Sequence, residues 1–548
     1  TAEAKWRLGA FSETTGFPAA VAFYEQRLFF AGTSEQPQTL FGSKSGDYEN
    51  HTPGTLDDDP VIYTLATDQV NAIRWLSPGK VMAIGTVGGE FVISGSTTAD
   101  ALTPTNVRVV REGTRGSASH RPIRIDNVVV FIQRQKRKLR EFVYAFESDS
   151  FQSPDLTILS NQVSKGGITE IAYQQEPSTV VWGVKADGQL VGMTYLRDQQ
   201  VVAWHRHKIG GVSGACTITV SDYANIAVGT TLTFTKSDGS TVTFTSEAAG
   251  ASAPADTSLG WRPNTSNNVT ADNIYTRINA HADFTVANPA AAVVTVEETT
   301  SAGARPLTVT SSDTTRLTTT DQAIAVVESL AIIPSSTSGE EEVWMIVQRT
   351  INGVTRRYVE YLSDQFDVEE NQTKADAFFV DSGLSYSGAA AASITGLGHL
   401  EGQAVSILGN GSVYTKRNVS SGAISTVDPT VTKAQIGLAN ECIMKTLRPE
   451  AGGDDGTSQG KAKRDFEVTL RLIDTLGGKI GPDISTADEI IFRTGSDPMD
   501  SSPPLFTGDK RINIRGGWDT AGQTVYLNDE PLPAHITALI TRIITHDG

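Results

Sequence analysis

The first residues that could do chemistry are two histidines. His205 and His207 flank Arg206 and follow Trp204 in an apolar run. Alternate side chains of a β-strand point to the same face, so the two imidazoles would lie together and could bind a metal ion. The sequence places no third ligand beside them. We therefore favour the alternative, in which they are polar residues at a strand end beside a packed tryptophan.

A run of three carboxylates, Asp57 to Asp59, is the second candidate, because carboxylate oxygens are ligands of calcium. A calcium-binding loop, however, spaces its oxygens at intervals and bends sharply at a glycine. This run has no such spacing. We interpret it as an acidic loop that precedes a strand.

Basic residues are dense at one place, between two apolar runs. The cluster consists of Arg134, Lys136, Arg137, Lys138 and Arg140. Such a cluster could contact DNA phosphates or an acidic neighbouring subunit. It is also typical of a charged hairpin tip, where the charges keep a sheet edge soluble. We favour the hairpin tip and keep the two contacts as alternatives.

The sequence lacks the motifs of the common catalytic classes. It has no Gly-x-Ser-x-Gly elbow between a strand and a helix, since the string GTSQG at 456–460 lies in a polar, Gly-rich stretch, and it has no His-Glu-x-x-His, no phosphate-binding glycine loop and no repeated Ser-x-Asp-x-Gly box. A glycosidase needs only two carboxyl groups about 5–9.5 Å apart, which the 62 acidic residues leave open. Cys216 and Cys442 lack metal-ligand spacing; a single disulfide is one alternative, and we favour two unpaired thiols in a chain that matures in a reducing cytosol. We expect no enzymatic activity, no catalytic or metal-binding residues and no cofactor.

The overall charge limits the kind of partner. A formal net charge of -17 argues against a surface that grips nucleic acid, which requires clustered Lys and Arg. An acidic channel wall would instead repel phosphates and let DNA slide past. No apolar run approaches the roughly 18–20 residues that cross a bilayer, so we expect no membrane segment.

Short apolar runs between turn signals must position these residues. The clearest unit has runs at 168–173, 179–184, 190–195 and 201–204, with Asp187-Gly188 as a hairpin turn. Similar units begin near residues 21, 70 and 123, at a spacing of about 45–53 residues, which is typical of propeller blades. A fifth copy follows at 326–361. The sequence therefore predicts a β-propeller.

An insertion interrupts this repeat. Residues 215–320 are rich in Thr, Ser and Ala. They contain a predicted hairpin of runs 232–235 and 241–244 around Asp238-Gly239, and a predicted helix at 270–280 behind a Thr or Asp cap. We expect a small β-rich domain in an exposed blade loop, because loop closure costs grow slowly with length.

The predicted fold class is all-β: a β-propeller with an inserted small β-rich domain and C-terminal β-barrel or sandwich domains. The split propeller comprises 1–214 and 321–370, and the inserted domain, immunoglobulin-like or similar, comprises 215–320. A small barrel or sandwich at 371–450 and a β layer at 451–548 follow, with a Gly-rich polar loop predicted at 451–460.

Eight short sequence motifs, which we call strings, occur in a fixed order along the chain and bear on its function. They are EQRLFFAG at 25–32; Ser43 with SGDY at 45–48; GT at 85–86 with GGE at 88–90; RKLRE at 137–141; DGQL at 187–190 with VAWH at 202–205; VQR at 347–349 with NG at 352–353 and YVE at 358–360; FVDSGL at 379–384; and GLGHLEG at 396–402. Together they resemble the nozzle proteins (tail tubular protein B-like) of short podophage tails. His51, where an aromatic residue is expected, and the insertion depart from the family pattern.

The resemblance implies a structural, propeller-bearing subunit that forms a ring, usually a hexamer, in the distal part of the virion tail. The ring would be the DNA conduit and gate that retains the genome and opens for ejection. Its implied partners are a tail adaptor protein above, tail fibre, spike or needle proteins, and genomic DNA that passes without specific binding. Assembly is expected in the cytoplasm of the bacterial host. The alternatives are a receptor-binding or glycan-degrading tail component and a bacterial adhesin.

Overall fold

A computed structural model gives the arrangement of the chain. It describes residues 9–546 except for 68–69, 98–99, 211–215, 237–239, 250–258, 288, 290, 300–306, 322–324, 336–338, 352–353, 371, 426 and 451–456. Strands in small, mostly antiparallel sheets dominate the described residues, which confirms the predicted all-β class. Within these residues, no helix has the length and apolar character needed to cross a membrane.

Contacts divide the chain into two compact units. The first comprises the residues up to His207 together with Val327–Met345. The second comprises Lys208–Val326 together with the residues from Ile346 onward.

Four antiparallel sheets follow one another in the first unit, each with four strands that are neighbours in chain order. The first two sheets contain β1 (Ala20–Tyr24), β2 (Arg27–Ala31), β3 (Thr39–Gly42) and β4 (Ile62–Thr64), then β5 (Ile73–Ser77), β6 (Met82–Thr86), β7 (Glu90–Ser94) and β8 (Arg108–Arg111). The next two contain β9 (Ile123–Ile125), β10 (Val128–Ile132), β11 (Leu139–Ala145) and β12 (Ser150–Gln152), then β13 (Ile168–Gln174), β14 (Val180–Lys185), β15 (Leu190–Leu196) and β16 (Val201–His207). This up-and-down order is that of a propeller blade.

The last strand of each of the first three sheets was not predicted. β4, β8 and β12 have only three or four residues, none of them buried. So short and exposed a strand develops no apolar alternation.

Neighbouring sheets pack on each other in chain order. Phe29 of the first sheet and Ile84 of the second lie in one buried cluster, and Trp75 of the second and Phe131 of the third lie in the next. A further cluster joins the third sheet to the fourth. Gly85 lies against the Trp75 ring, where a Cβ would come within 2.0 Å of Cε2. The second sheet therefore has no space for a larger residue at this position.

The inserted residues build a core of their own. Their strands are β17 (Cys216–Val220), β18 (Thr231–Thr235), β19 (Thr241–Ser246), β20 (Gly260–Trp261), β21 (Phe284–Ala287), β22 (Val293–Glu298), β23 (Thr308–Ser311) and β24 (Leu317–Asp321). They form two sheets, in the orders β21-β22-β17-β24 and β20-β19-β18-β23. Phe234, Trp261 and Ile274 are among the residues buried in the core. The predicted hairpin is β18 and β19, and its Asp238-Gly239 turn lies outside the described residues.

The helix of the insertion starts earlier than predicted. It is α1 (Asn267–Asn279), and the Oγ atom of Ser266 caps it by accepting a hydrogen bond from the Val269 N–H at 3.2 Å. The predicted Thr or Asp cap is therefore wrong, because the spacing of Ile274 and Ile278 marks the buried face of a helix but not its first turn.

A three-stranded sheet follows the insertion and contains β25 (Val326–Pro334), β26 (Glu341–Ile351) and β27 (Val354–Tyr361). These are the strands of the predicted fifth unit, and its Asn352-Gly353 turn lies outside the described residues. In the first unit, the Val327 N–H donates to the Gly188 carbonyl at 2.9 Å. The chain thus returns to the fourth sheet after the insertion.

The remainder of the second unit consists of further, mainly antiparallel sheets. Residues 380–439 contain β28 (Val380–Ala391), β29 (Ile394–Thr395), β30 (Ala404–Gly409), β31 (Ser412–Asn418), β32 (Ala423–Ile424) and β33 (Val431–Ala439). The last residues contain β34 (Cys442–Lys445), β35 (Ala462–Thr475), β36 (Lys479–Gly481), β37 (Asp488–Glu489), β38 (Phe506–Asn513), β39 (Val525–Asn528) and β40 (His535–His546). The main sheet orders are β28-β33-β30-β31, β34-β39-β36-β37 and β38-β35-β40, and the first six residues of the predicted 451–460 loop lie outside the described residues.

Candidate functional site

The two histidines lie on one face of β16, as the alternation predicts. The Nδ1 atom of His205 is 2.6 Å from the Nε2 atom of His207, so one ring donates a hydrogen bond to the other. The His207 ring lies 4.9 Å from the Trp182 ring. Gly192 is the partner of His205 on β15, and a Cβ there would come within 2.0 Å of the His205 Cε1 atom. The glycine therefore allows the imidazole to lie against the sheet.

Burial favours the neutral form of both imidazole rings. Burial lowers the pKa of His205, and burial together with the neighbouring His205 lowers the pKa of His207 to about 3. Within the described residues, no group of three or more His, Cys, Asp or Glu side chains is arranged to hold a metal ion. The geometry is that of two uncharged rings packed beside a tryptophan.

The Asp57–Asp59 run precedes β4 and surrounds an arginine. The Arg27 side chain is buried, and its guanidinium donates to the main-chain carbonyls of the three aspartates at 2.6, 3.2 and 2.5 Å and to that of Ser43 at 2.8 Å. The carboxylates point elsewhere: the Lys44 Nζ atom lies 2.9 Å from the Asp58 Oδ2 atom, and this contact lowers the pKa of Asp58. The predicted acidic loop is confirmed, and its main chain binds an internal cation.

The basic cluster divides into two parts. Lys138 pairs with Asp155 at 2.6 Å, and the buried Arg140 donates to the Gln133 side chain at 2.7 Å and to the Ser153 carbonyl at 2.6 Å. The other three, Arg134, Lys136 and Arg137, are exposed in the turn between β10 and β11. The hairpin tip is confirmed. Contact of these three cations with DNA or another subunit stays a hypothesis.

The thiols lie in different parts of the second unit. Cys216 is buried in the core of the insertion, and Cys442 is exposed on β34. They are not joined to each other, as predicted.

Polar residues of the ordered strings lie inside the first unit. Glu90 is fully buried, accepts from the Arg115 N–H at 3.3 Å, and has its pKa raised by burial. Glu141 accepts from the Tyr195 hydroxyl at 3.0 Å and from the Arg197 guanidinium at 3.4 Å. Glu90 thus holds the segment that follows β8, and Glu141 joins the third sheet to the fourth.

Four further string segments meet in the second unit at a group that we name the Arg349 cluster: Arg349, Glu360, Asp381, Ser382 and His399. Arg349 is 2% exposed, and its Nη2 atom donates to Glu360 at 2.8 Å. The Ser382 hydroxyl donates to the other oxygen of Glu360 at 2.9 Å. The His399 Nε2 atom donates to the Ser382 carbonyl at 2.8 Å. Residues far apart in sequence thus form one hydrogen-bonded network.

Asp381 connects this cluster to the chain that enters the insertion. Its carboxylate accepts a hydrogen bond from the Gly210 N–H. Burial raises the pKa of Asp381 to about 6, opposed by that hydrogen bond and by the charge of Arg349. A Cβ at Gly210 would lie 2.5 Å from the Asp381 Oδ2 atom, so only glycine fits. Two residues earlier, Lys208 pairs with Glu441 at 2.9 Å, which fixes the same segment a second time.

Charge within the Arg349 cluster does not balance. One guanidinium faces two carboxylates, Glu360 and Asp381, and the Nε and Nη1 atoms of Arg349 have no hydrogen-bond partner among the described residues. A proton on Asp381 would bring the buried charge to zero. In the sequence these residues stand out only as members of the ordered strings. The available signal was a charged residue, Arg349, two positions after the end of the apolar run at 343–347.

Comparisons with known proteins do not identify a family. No protein-family model matches the chain, and no curated protein is similar in sequence. Among solved structures, a luciferin-regenerating enzyme matches at 11% identity and a TM-score of 0.16, over 37% of this chain and 82% of that one. A similarity at that TM-score carries no argument about fold or function.

Proposed function

We propose that the protein is the nozzle subunit of a short phage tail, forming the distal DNA conduit and the gate that retains the genome until ejection. The observation that carries the proposal is the order of the eight strings between residues 25 and 402. The positions of their polar residues support it. Arg27, Glu90, Glu141, Arg349 and Asp381 are engaged within the fold, as expected of residues that maintain a structural subunit.

The net charge of the chain supports a role as a DNA conduit. A net charge of -17 disfavours attachment of DNA, whose phosphates are repelled by acidic surfaces. The basic hairpin does not reverse this, because two of its five cations are held by internal partners. DNA would pass without specific binding.

The proposed assembly is a ring of identical subunits, with six copies expected from the resemblance. An adaptor protein would lie above the ring, and fibres, a spike or a needle would attach to it. The ring would occupy the distal tail of the virion after assembly in the host cytoplasm. No enzymatic step is required for any of these roles.

The test combines imaging with an activity assay. Cryo-electron microscopy of the purified protein, and antibody labelling of virions from the phage that encodes it, should give rings with a central channel and label at the tail tip. Label on the capsid, or a protein that stays monomeric at micromolar concentrations, would refute the nozzle. Depolymerisation of host surface polysaccharide by the purified protein would favour the glycan-degrading alternative.

A further inference from the structure

Exposed cations from three segments of the first unit meet at the turn between β10 and β11. The Arg134 N–H donates to the Gly116 carbonyl at 3.0 Å, which brings the segment around residue 115 beside this turn. The Ile168 N–H donates to the Lys136 carbonyl at 2.8 Å, which brings the segment around residue 165 to the same turn. We name the five exposed cations of these segments the basic surface: Arg115, Arg134, Lys136, Arg137 and Lys165.

The basic surface has no internal counter-charge. Among the residues that the structure describes, none of its five side chains forms an ion pair or donates a hydrogen bond. Two carboxylates of the surrounding segments are engaged with other cations, Asp155 with Lys138 at 2.6 Å and Asp187 with Lys185 at 2.9 Å. The surface therefore fits a partner that is rich in negative charge.

A matching segment lies in the second unit, between β27 and β28. Residues 364–370 (DQFDVEE), which we name the acidic segment, contain four carboxylates and no cation. All four carboxylate residues are exposed, and in the described part of the chain they form no ion pair. Phe366 packs on the core of the second unit, with its ring 6.5 Å from that of Phe379. This anchor fixes the segment in place, which lowers the cost of ordering it in a complex.

The two places with three carboxylates in succession are already engaged. Asp58 pairs with Lys44 at 2.9 Å, and the main chain of Asp57–Asp59 binds Arg27. In the run 340–342, Glu341 accepts from the Gln175 N–H, and Glu342 accepts from the Trp344 indole at 2.8 Å. The acidic segment, in contrast, keeps its carboxylates available for a partner.

We propose that the basic surface of one copy binds the acidic segment of a second copy. Copies with a net charge of -17 repel each other wherever acidic surfaces meet, so a contact forms where the local charges are opposite. The two surfaces differ, and each copy therefore contributes one of them to each of its two contacts. Such a head-to-tail contact produces a ring when the rotation closes. The inference rests on the proposed function for that closure, and it names the surfaces that join the copies.

The experiment reverses the charge of each surface separately. Arg134→Glu with Arg137→Glu alters the basic surface, and Glu369→Lys with Glu370→Lys alters the acidic segment. In sedimentation velocity at low salt, the wild type should be a closed oligomer, and each variant alone should be a single chain because like charges then face each other. An equimolar mixture of the two variants should form oligomers again, because each reversed surface meets a reversed segment. A variant that had merely failed to fold would not be rescued in this way.

The matched control is Lys80→Glu with Arg108→Glu, which removes the same amount of positive charge. Lys80 lies in the turn between β5 and β6, and Arg108 begins β8, whereas Arg115 follows the end of that strand. Both control residues are exposed and lie at the other end of the second sheet. The control should remain oligomeric.

The outcomes separate this contact from the ring itself. An oligomer that persists in both reversed variants overturns the inference and leaves the ring intact. Folded variants that stay single chains when mixed also overturn it. Fluorescence anisotropy with a labelled DNA duplex tests the other polyanion: binding that is lost in Arg134→Glu, Arg137→Glu while its oligomer persists would assign the basic surface to DNA. A monomeric wild type overturns both the contact and the proposed ring.

Discussion

Asp381 provides the most quantitative prediction. Its pKa is raised from 3.8 to about 6 because it is buried. A carboxyl group with a raised folded-state pKa contributes stability that is fully present below 3.8 and is lost as the pH rises through about 6. Between pH 5 and pH 7.5 the loss amounts to about 1.4 kcal/mol, which is a factor of about ten in an equilibrium constant. Asp381→Asn removes this dependence, and its amide oxygen still accepts from the Gly210 N–H.

Hydrogen exchange is the suitable assay, because it reports on one sheet of a large protein. After correction for intrinsic rates, amides of β28 and β33 in the wild type should be about tenfold more protected at pH 5 than at pH 7.5. In Asp381→Asn the ratio should be close to one. Glu441→Gln is the control, because it removes the ion pair with Lys208 and leaves Asp381 in place. A wild-type ratio below one, or an unchanged ratio in Asp381→Asn, would refute the reasoning.

Three further predictions concern the first unit. Arg27→Met leaves four main-chain carbonyls without their hydrogen-bond donor. It should lower the free energy of unfolding, measured by urea denaturation, by about 3–5 kcal/mol. The control Arg134→Met, at an exposed position, should change the same free energy by less than about 0.5 kcal/mol. Gly85→Ala forces the Trp75 ring to move and should cost about 1–3 kcal/mol, measured as a lower melting temperature with altered near-ultraviolet circular dichroism. His207 resists protonation in the folded state, with a pKa of about 3, so its contribution to stability is lost as the pH falls below about 6.5. His207→Gln should therefore flatten the decline in β15 and β16 amide protection between pH 7 and pH 5.

Sequence patterns predicted the elements whose burial follows a simple period. The four runs of the fourth sheet became β13 to β16. β14 and β15 are almost entirely buried and β13 is half-buried, whereas β16 has no buried residue but packs Trp204 against the buried cluster. The same approach missed β28, whose SYSGAAA half is exposed and lacks apolar alternation. It placed the helix by its buried isoleucines and therefore missed the Ser266 cap.

The candidate sites show the same limit. Alternation put His205 and His207 on one face, because the two residues are neighbours on one strand. Nothing local could bring Gly210 to Asp381 and Arg349, since Gly210 lies more than a hundred residues before both of them. Nor could spacing show that the carbonyls of Asp57–Asp59, and not their carboxylates, bind Arg27. These contacts depend on the path of the chain between sheets.

The insertion also delays the completion of the first unit while the chain is synthesised. The last strand of the fourth sheet ends at His207. Two residues that form hydrogen bonds with this sheet, Val327 and Ser329, come only after the 119 residues Lys208–Val326. At roughly 5–20 residues per second, the ribosome needs on the order of ten seconds to deliver them. During that interval the fourth sheet lacks its contacts with β25. The inserted residues can already fold around their own core. The part of the fourth sheet that contacts Val327 and Ser329 is therefore exposed in the nascent chain during this interval, when a chaperone could bind it.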